Sequence, residues 1–352
     1  MSGVWIQSLR QRLFASWVDA AITLVCLYIV WRLSVPLVHW LLLDATWNGT
    51  TRDDCKGSGA CWVFVKMRFG QFMYGQYPLP ERWRVDIVGM LWLAVTAALA
   101  WRGLPHRRGA TFAAAVLLPP VGIVLLHGGW GTGLRLVETR EWGGLMLTLF
   151  LTIYAGLIAI PLGVLLALGR RSRLPLVRLG SVIFIEFWRG VPIITVIFLA
   201  SLLLPLIMPT GFDVDRLARA VIGLAFVIAA YMAEVVRGGL QALPDGQTEA
   251  AEALGLGYWR IQRAIVLPQA LRIALPAMTN EFIALFKNTT LVLIVSIFDL
   301  LGIAQAALAD PAWVGMNMEA YVFAGAIYWF ACFGLSQWSR SREKRLQKAY
   351  GR

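Results

Sequence analysis

The stretch Glu249–Pro268, EAAEALGLGYWRIQRAIVLP, lies between two long apolar runs and is too polar and too often broken to be a third. Gly246, Gln247 and Thr248 precede it and can open a helix, with Thr248 as N-cap and Glu249 in the first turn, where the helix dipole favours an anion. Ala250, Ala251 and Ala253 give that helix a slim surface. Gly255 and Gly257 then turn the chain, as glycine does after a helix. A second short helix from about Tyr258 carries Trp259, Ile261, Ile265 and Leu267, with Arg260 and Arg263 between them, and Pro268 stops it or opens the next segment. Physical reading alone leaves two descriptions open. One is a helix–turn–helix built for another protein to approach, and the other is an ordinary amphipathic loop at a membrane surface.

Working outward, the flanking runs at about 218–236 and 277–301 are each long enough to cross hydrocarbon. Six further segments qualify, at about 18–43, 87–101, 110–127, 143–169, 184–208 and 320–338. Hydrophobic residues make up 59% of the 352 residues and charged residues only 15%, against about 25% charged in soluble domains. The chain therefore reads as an all-α integral membrane protein of about eight transmembrane helices. With the N-terminus inside, 19 of the 32 Lys and Arg fall in inside segments and 10 outside. That bias places both termini in the cytoplasm. It also explains the net charge of +12 without nucleic acid, because the basic residues sit in short clusters between spans. The first run lacks a cleavage site and reads as a retained span rather than a signal peptide. The segment 44–86 is the long outer loop, expected as a small ordered lobe without a core of its own.

Two apolar stretches are too long for single spans. Leu179–Pro209 would make roughly 46 Å of helix at 1.5 Å per residue. Its first part, SVIFIEFWRG, is therefore read as interfacial, with a break at Gly190–Val191–Pro192. Ala270–Leu308 is interrupted by Pro276 and by Asn288–Thr289–Thr290. Such interruptions are tolerated where protein or a water cavity satisfies the backbone.

Several chemistries are excluded. None of the five Lys follows a Gly, so no phosphate-cradling G-x-x-x-x-G-K-[ST] loop exists and any ATPase must be another chain. His39, His106 and His127 are far apart and share no ligand spacing with Cys, so no metal site is expected. No catalytic constellation is present. Cys55 and Cys61 close the short polar loop CKGSGAC, and in an oxidising compartment they can form a disulfide or stay as two thiols.

The spacing Glu249–Ala250–Ala251, three residues, Gly255, nine residues, Ile265, one residue, Leu267–Pro268 resembles the EAA loop of ABC importer permeases at every position. The resemblance spans roughly 138–352 and is closest to the polar amino-acid branch, whose members handle histidine, glutamine or a general range of L-amino acids. Tyr231–Leu240, Ile185–Pro192 and Leu285–Thr290 also look like that branch. It implies a type-1 permease core in the last five spans, a domain at 138–352 and a coupling loop at 245–268. Glu249, Ala250, Ala251 and Gly255 would then face an ATP-binding subunit, and Ile265, Leu267 and Pro268 would anchor the loop. Residues 1–137, with three spans, receive no function from the resemblance. The implied partners are two ATP-binding subunits carrying ATP and Mg, a second permease and a periplasmic amino-acid-binding protein, in a bacterial inner membrane. No cofactor would be bound by this chain. The lopsided N-terminal extension favours a non-identical second permease, hence a heterodimer.

Charges inside spans are costly and usually face a cavity or a partner. Glu186 and Arg189 are spaced to share a helix face and read as a structural pair at the membrane edge, and Glu234 and Arg237 share the same spacing. Glu234, Glu281, Lys287 and Asn288 are the substrate-path candidates, because a zwitterion needs partners of both signs. The competing function is a channel or ion-gradient-driven transporter of small polar solutes, which would predict inverted repeats. An intramembrane enzyme would need clustered catalytic residues, which the sequence does not offer.

Overall fold

The computed structural model describes residues 13–100, 107–209 and 214–350. Arg10, Arg12, Arg102 and Arg352, which enter the orientation argument, lie outside these. In chain order the helices are α1 (Trp17–Leu43), α2 (Trp62–Tyr74), α3 (Arg82–Ala100), α4 (Arg107–His127), α5 (Gly144–Arg170) and α6 (Pro175–Gly190). They continue with α7 (Ile193–Ile207), α8 (Arg216–Gln241), α9 (Gly246–Ala253), α10 (Tyr258–Val295), α11 (Leu300–Leu308) and α12 (Asn317–Tyr350). The described residues contain no strand, only isolated bridges. Six helices are long and apolar enough to cross a membrane, or seven if the bent pair α6–α7 counts as one span. The expectation of about eight is thus approximate. The expected span at 87–101 corresponds to α3, whose first turns carry Arg82, Arg84 and Asp86.

The described chain divides into two compact units, residues 1–68 with 308–322, and 69–307 with 323–352. This division does not fall at 137/138, the boundary expected from sequence. The outer segment 44–86 is itself split, because its second part packs into the larger unit.

In the smaller unit, Ser16 caps α1 by accepting the Asp19 N–H at 3.1 Å. Asp54 accepts backbone N–H bonds from Thr51 and Thr50, which hold its carboxyl below the ordinary carboxylate range. Cys55 and Cys61 are joined, with Cα atoms 5.6 Å apart. The Cys61 N–H donates to the buried Glu319 carboxylate at 2.9 Å, Arg68 pairs with Asp310, and the rings of Phe64 and Trp313 lie 5.5 Å apart. Ala60, Val63, Phe64 and Trp313 are buried, so this lobe has a small core, contrary to the expectation of none. It is completed by residues 308–322, too distant in sequence for the lobe to be read as self-contained.

In the larger unit, α5 and α8 pack against each other along most of their length and α10 packs on α8. Leu147, Leu151 and Ala155 of α5 meet Leu224, Ile228 and Met232 of α8 in one buried cluster. Apolar burial drives no association between helices in lipid, so close packing at small residues holds them. Gly163 is such a point, since a Cβ there would lie 2.6 Å from Met232 Cβ and 3.0 Å from the Ala229 carbonyl oxygen. Asp215 caps α8 by accepting the Leu217 and Ala218 N–H groups.

α6 and α7 meet at 103°, and the break falls at Val191–Pro192. The expected break in this stretch is therefore present. α10 departs further from expectation. It runs 38 residues, about 57 Å at 1.5 Å per residue, and Pro268 does not end it. A wider π turn at Gln262–Val266 carries the helix into the proline, which supplies no N–H of its own. Beyond Asn288 the chain tightens into 3-10 turns and stops at Ser296, whose φ is +57°.

Candidate functional site

The α8–α10 loop is built around α9. This helix begins at Gly246, after Asp245, so Thr248 is not its cap as expected. Thr248 instead donates its backbone N–H to the Asp245 carbonyl at 2.8 Å. At the other end Gly255 adopts φ +73°. Its N–H bonds the Glu252 carbonyl and the Leu256 N–H bonds the Ala251 carbonyl, at 2.9 and 3.2 Å. That pair of bonds is the Schellman arrangement, which needs a left-handed residue at this position.

Four of the seven loop residues singled out from sequence had been assigned to one outward surface, and the structure separates them. Glu249, Ala250 and Gly255 are exposed. Ala251 is only 3% exposed and packs into the buried cluster, which corrects its assignment to the docking surface. Its place outside is taken by Ala253 and by Leu254, which is 80% exposed. Ile265, Leu267 and Pro268 are half-buried, and Ile265 and Leu267 pack on the core beside the buried Ile261 and Val266. Tyr258 and Trp259 stay exposed, edge to face at 5.3 Å.

One contact that sequence reasoning missed joins the two halves. The Gln269 side-chain amide donates to the Gln247 side-chain oxygen at 2.7 Å and to the Ile265 carbonyl at 2.9 Å. A cleft of about 710 Å³ opens beside the loop, between Arg171 and Arg173 on one wall and Glu249, Glu252, Trp259 and Gln262 on the other. The α5–α6 turn therefore belongs to the same site.

The charges near the ends of α5, α6 and α8 form a second constellation. Arg170 reaches Glu186 at 3.0 Å and Glu234 at 2.7 Å with one guanidinium nitrogen. Arg237 holds the other Glu234 oxygen with two nitrogens, at 2.9 and 2.7 Å, and donates to Gln241 at 2.8 Å. The expected Glu186–Arg189 pair does not form. Glu186 turns to α5 instead, and the Arg189 guanidinium lies 5.7 Å from the Tyr231 ring centre. Glu234 is likewise no open ligand for a substrate, because both of its oxygens are held by arginines. The i,i+3 spacing of Glu234 and Arg237 signalled their pair. Nothing in the sequence signalled Arg170, whose reach depends on how α5 and α8 are rotated.

Glu281 is half-buried and has no hydrogen bond or ion pair among the described residues, while Lys287 is exposed and Asn288 half-buried. No ion pair joins Glu281 to Lys287, and six residues of helix turn them about 120° apart. A further buried group was missed. Tyr328 donates to the fully buried Asp299 at 2.8 Å, and Thr148 accepts the Leu300 N–H at 3.0 Å, tying α12 and α5 to the start of α11. No cluster of three or more metal-ligating side chains occurs among the described residues.

The family model for the binding-protein-dependent transport system inner membrane component matches residues 159–348. The chain is 52% identical over 342 residues to the inner membrane amino-acid ABC transporter permease protein YhdY of Escherichia coli (strain K12), covering 97% of this chain and 92% of that one. It is 34% identical to the glutamate/glutamine/aspartate/asparagine transport system permease protein BztC of Rhodobacter capsulatus, covering 97% and 94%. Among solved structures, an amino acid ABC transporter crystallised with histidines is 32% identical, with a TM-score of 0.51 over 57% of this chain and 92% of that chain.

Proposed function

We infer that this chain, which belongs to the family of binding-protein-dependent transport system inner membrane components, is the membrane-spanning permease subunit of an ABC importer for polar or general L-amino acids. Family membership displaces the gradient-driven alternative. The substrate class rests on the likeness to YhdY and BztC across nearly the whole chain.

The observation that carries the mechanism is the continuity of α10 with the loop. α9 presents Glu249, Ala250, Ala253 and Leu254 outward, the Gln247–Gln269 bond ties it to α10, and α10 runs unbroken from Tyr258 past Asn288. A partner that pushes on α9 would move a rigid rod that enters the membrane, rather than a floppy connection. In this reading two ATP-binding subunits, which carry ATP and Mg, grip α9 and its counterpart in a second, non-identical permease. Their closure pulls the loops together and opens the cavity to the side where a periplasmic amino-acid-binding protein delivers its cargo. Both termini then lie in the cytoplasm. Glu281, Lys287 and Asn288 are the groups left free to meet a zwitterion along α10, and the Arg170–Glu234–Arg237 cluster latches the helices around it.

The test is reconstitution of the whole transporter in vesicles. Glu249→Arg and Gly255→Trp are expected to retain ATP hydrolysis by the partner and to lose amino-acid uptake. Full uptake in both variants, or uptake without any ATPase, would sink the assignment.

A further inference from the structure

Arg32 is the one Lys or Arg of α1, and it lies near the middle of the helix. α1 spans 27 residues, from Trp17 to Leu43. Arg32 is two residues past the midpoint, about 3 Å along the axis. The nearer edge of the hydrocarbon is then about 12 Å away, taking half of a roughly 30 Å core, beyond the reach of an extended arginine side chain. Its own helix offers no counter-charge. Asp19 and Asp44 lie 13 and 12 residues away; Asp19 bonds Ser16, and Asp44 pairs with His39. Arg32 is exposed, with no hydrogen bond or ion pair among the described residues, and no residue of α1 is buried. Val25, Ile29 and Val35, apolar and exposed, share its face with the exposed Tyr28.

We propose that α1 is a docking helix for a second, non-identical transmembrane subunit that presents a carboxylate to Arg32 near the middle of the bilayer. A lone guanidinium at this depth is costly, and intramembrane charges pair with one another or with backbone carbonyls; the charged side chain that complements it is a carboxylate. A lipid phosphate stays at the interface, out of reach. A second copy of this chain is disfavoured as the occupant, because a two-fold contact along α1 would bring two Arg32 guanidinia to the same height. The partner must therefore differ in sequence and carry Asp or Glu within a span. The proposal rests on the reading of this chain as one subunit of a multi-subunit importer, and it names the partner surface that this reading leaves open.

The test uses the complete transporter, expressed with all its subunits, in a background of Cys26→Ser and Cys332→Ser with the Cys55–Cys61 pair kept. Ile29→Cys, on the Arg32 face, is labelled with a benzophenone maleimide and irradiated in membranes. The expected product joins this chain to the second permease, and mass spectrometry places the adduct in a span bearing Asp or Glu. Arg32→Leu should reduce both the adduct and the co-purified second permease roughly five- to ten-fold, the scale of one interhelical polar contact, while Arg32→Lys keeps them. In case Arg32→Leu inserts poorly, Asn or Gln in place of the partner's acid should have the same effect, and exchanging the two charges should restore the complex. Adducts only with a second copy, with this chain itself or with lipid overturn the proposal. So does a partner span without an acid, or an unchanged yield in Arg32→Leu. ATP-driven uptake is measured on the same membranes. Uptake without the expected adduct defeats the docking proposal alone, whereas absence of uptake defeats the permease reading.

Discussion

Gln269 of α10 donates its side-chain amide to the side-chain oxygen of Gln247 of α9 at 2.7 Å, across 22 residues of chain. The bond crosses the turn at Gly255–Gly257 and spares it from acting as a hinge between the exposed helix and the membrane rod. Bonds of this kind are worth about 1 kcal/mol net, or a factor of roughly five in a population. Gln269→Leu and Gln247→Leu should therefore leave expression and ATP hydrolysis unchanged and lower the number of substrate molecules imported per ATP by a few-fold. The double variant should be no worse than either single one. Additive losses would mean that the two residues act separately.

Arg170 serves two carboxylates of unequal exposure, and this orders the consequences of losing each. The Glu234 side chain is 16% exposed and Glu186 is 54% exposed. An exposed pair contributes about 0–1 kcal/mol, whereas charged hydrogen bonds sheltered from water contribute about 1.5–3 kcal/mol. Thermal unfolding in detergent should rank Glu234→Gln well below Glu186→Gln. Arg170→Met should cost about as much as Glu234→Gln, and combining those two should add little. A Glu186→Gln variant as damaged as Glu234→Gln would refute the ranking.

Elements set by chain-local physics were legible in the sequence, and those set by helix rotation were not. The apolar runs at 18–43, 110–127 and 143–169 located their helices within one residue, and the length of Leu179–Pro209 anticipated the bend between α6 and α7. Gly255 was read correctly as the end of a helix, because a left-handed turn leaves a local signature. Thr248 was misread because the turn at Pro244–Asp245 opens the helix earlier than a side-chain cap would. Pro268 takes the second of its two expected roles, opening the stretch Leu267–Asn288, because a π turn upstream carries the helix into it. Ala250 and Ala251 look alike in sequence, and only the packing of α9 tells which is buried. The partners of Arg170 and Asp299 come from helices 16 to 64 positions away, a separation that no local pattern encodes.

Tyr77, outside the spans, tests the packing between the α2–α3 turn and the end of α4. Its hydroxyl donates to the Leu126 carbonyl at 2.7 Å, and burial pushes its phenol up to about 12. The folded group releases its proton later than the unfolded one. The stability it adds is therefore fully present below pH about 10, the ordinary tyrosine value, and is lost as pH rises from there towards 12. Tyr77→Phe should remove about 1 kcal/mol at neutral pH. Ultraviolet titration of phenolate formation should show wild type minus variant differing only near pH 12. A difference centred near pH 10 would mean that Tyr77 is open to solvent.

Gly255 separates the shape of the coupling loop from its chemistry. Its φ of +73° is left-handed, and a Cβ placed there would meet nothing within 4 Å. The cost of a side chain is therefore conformational rather than steric, roughly 1–2 kcal/mol for an ordinary L-residue. Asn adopts this region more readily. Gly255→Asn should import at close to the wild-type rate, Gly255→Ala several-fold more slowly, and Gly255→Val most slowly, since a β-branched residue is the poorest fit. A large residue such as Trp adds bulk on the exposed side, where the ATPase is proposed to sit, so Gly255→Trp should lose uptake while the partner continues to hydrolyse ATP. If Gly255→Asn fails like Gly255→Val, the empty space around the position is filled in the assembled transporter, and the glycine is needed for close approach rather than for its turn.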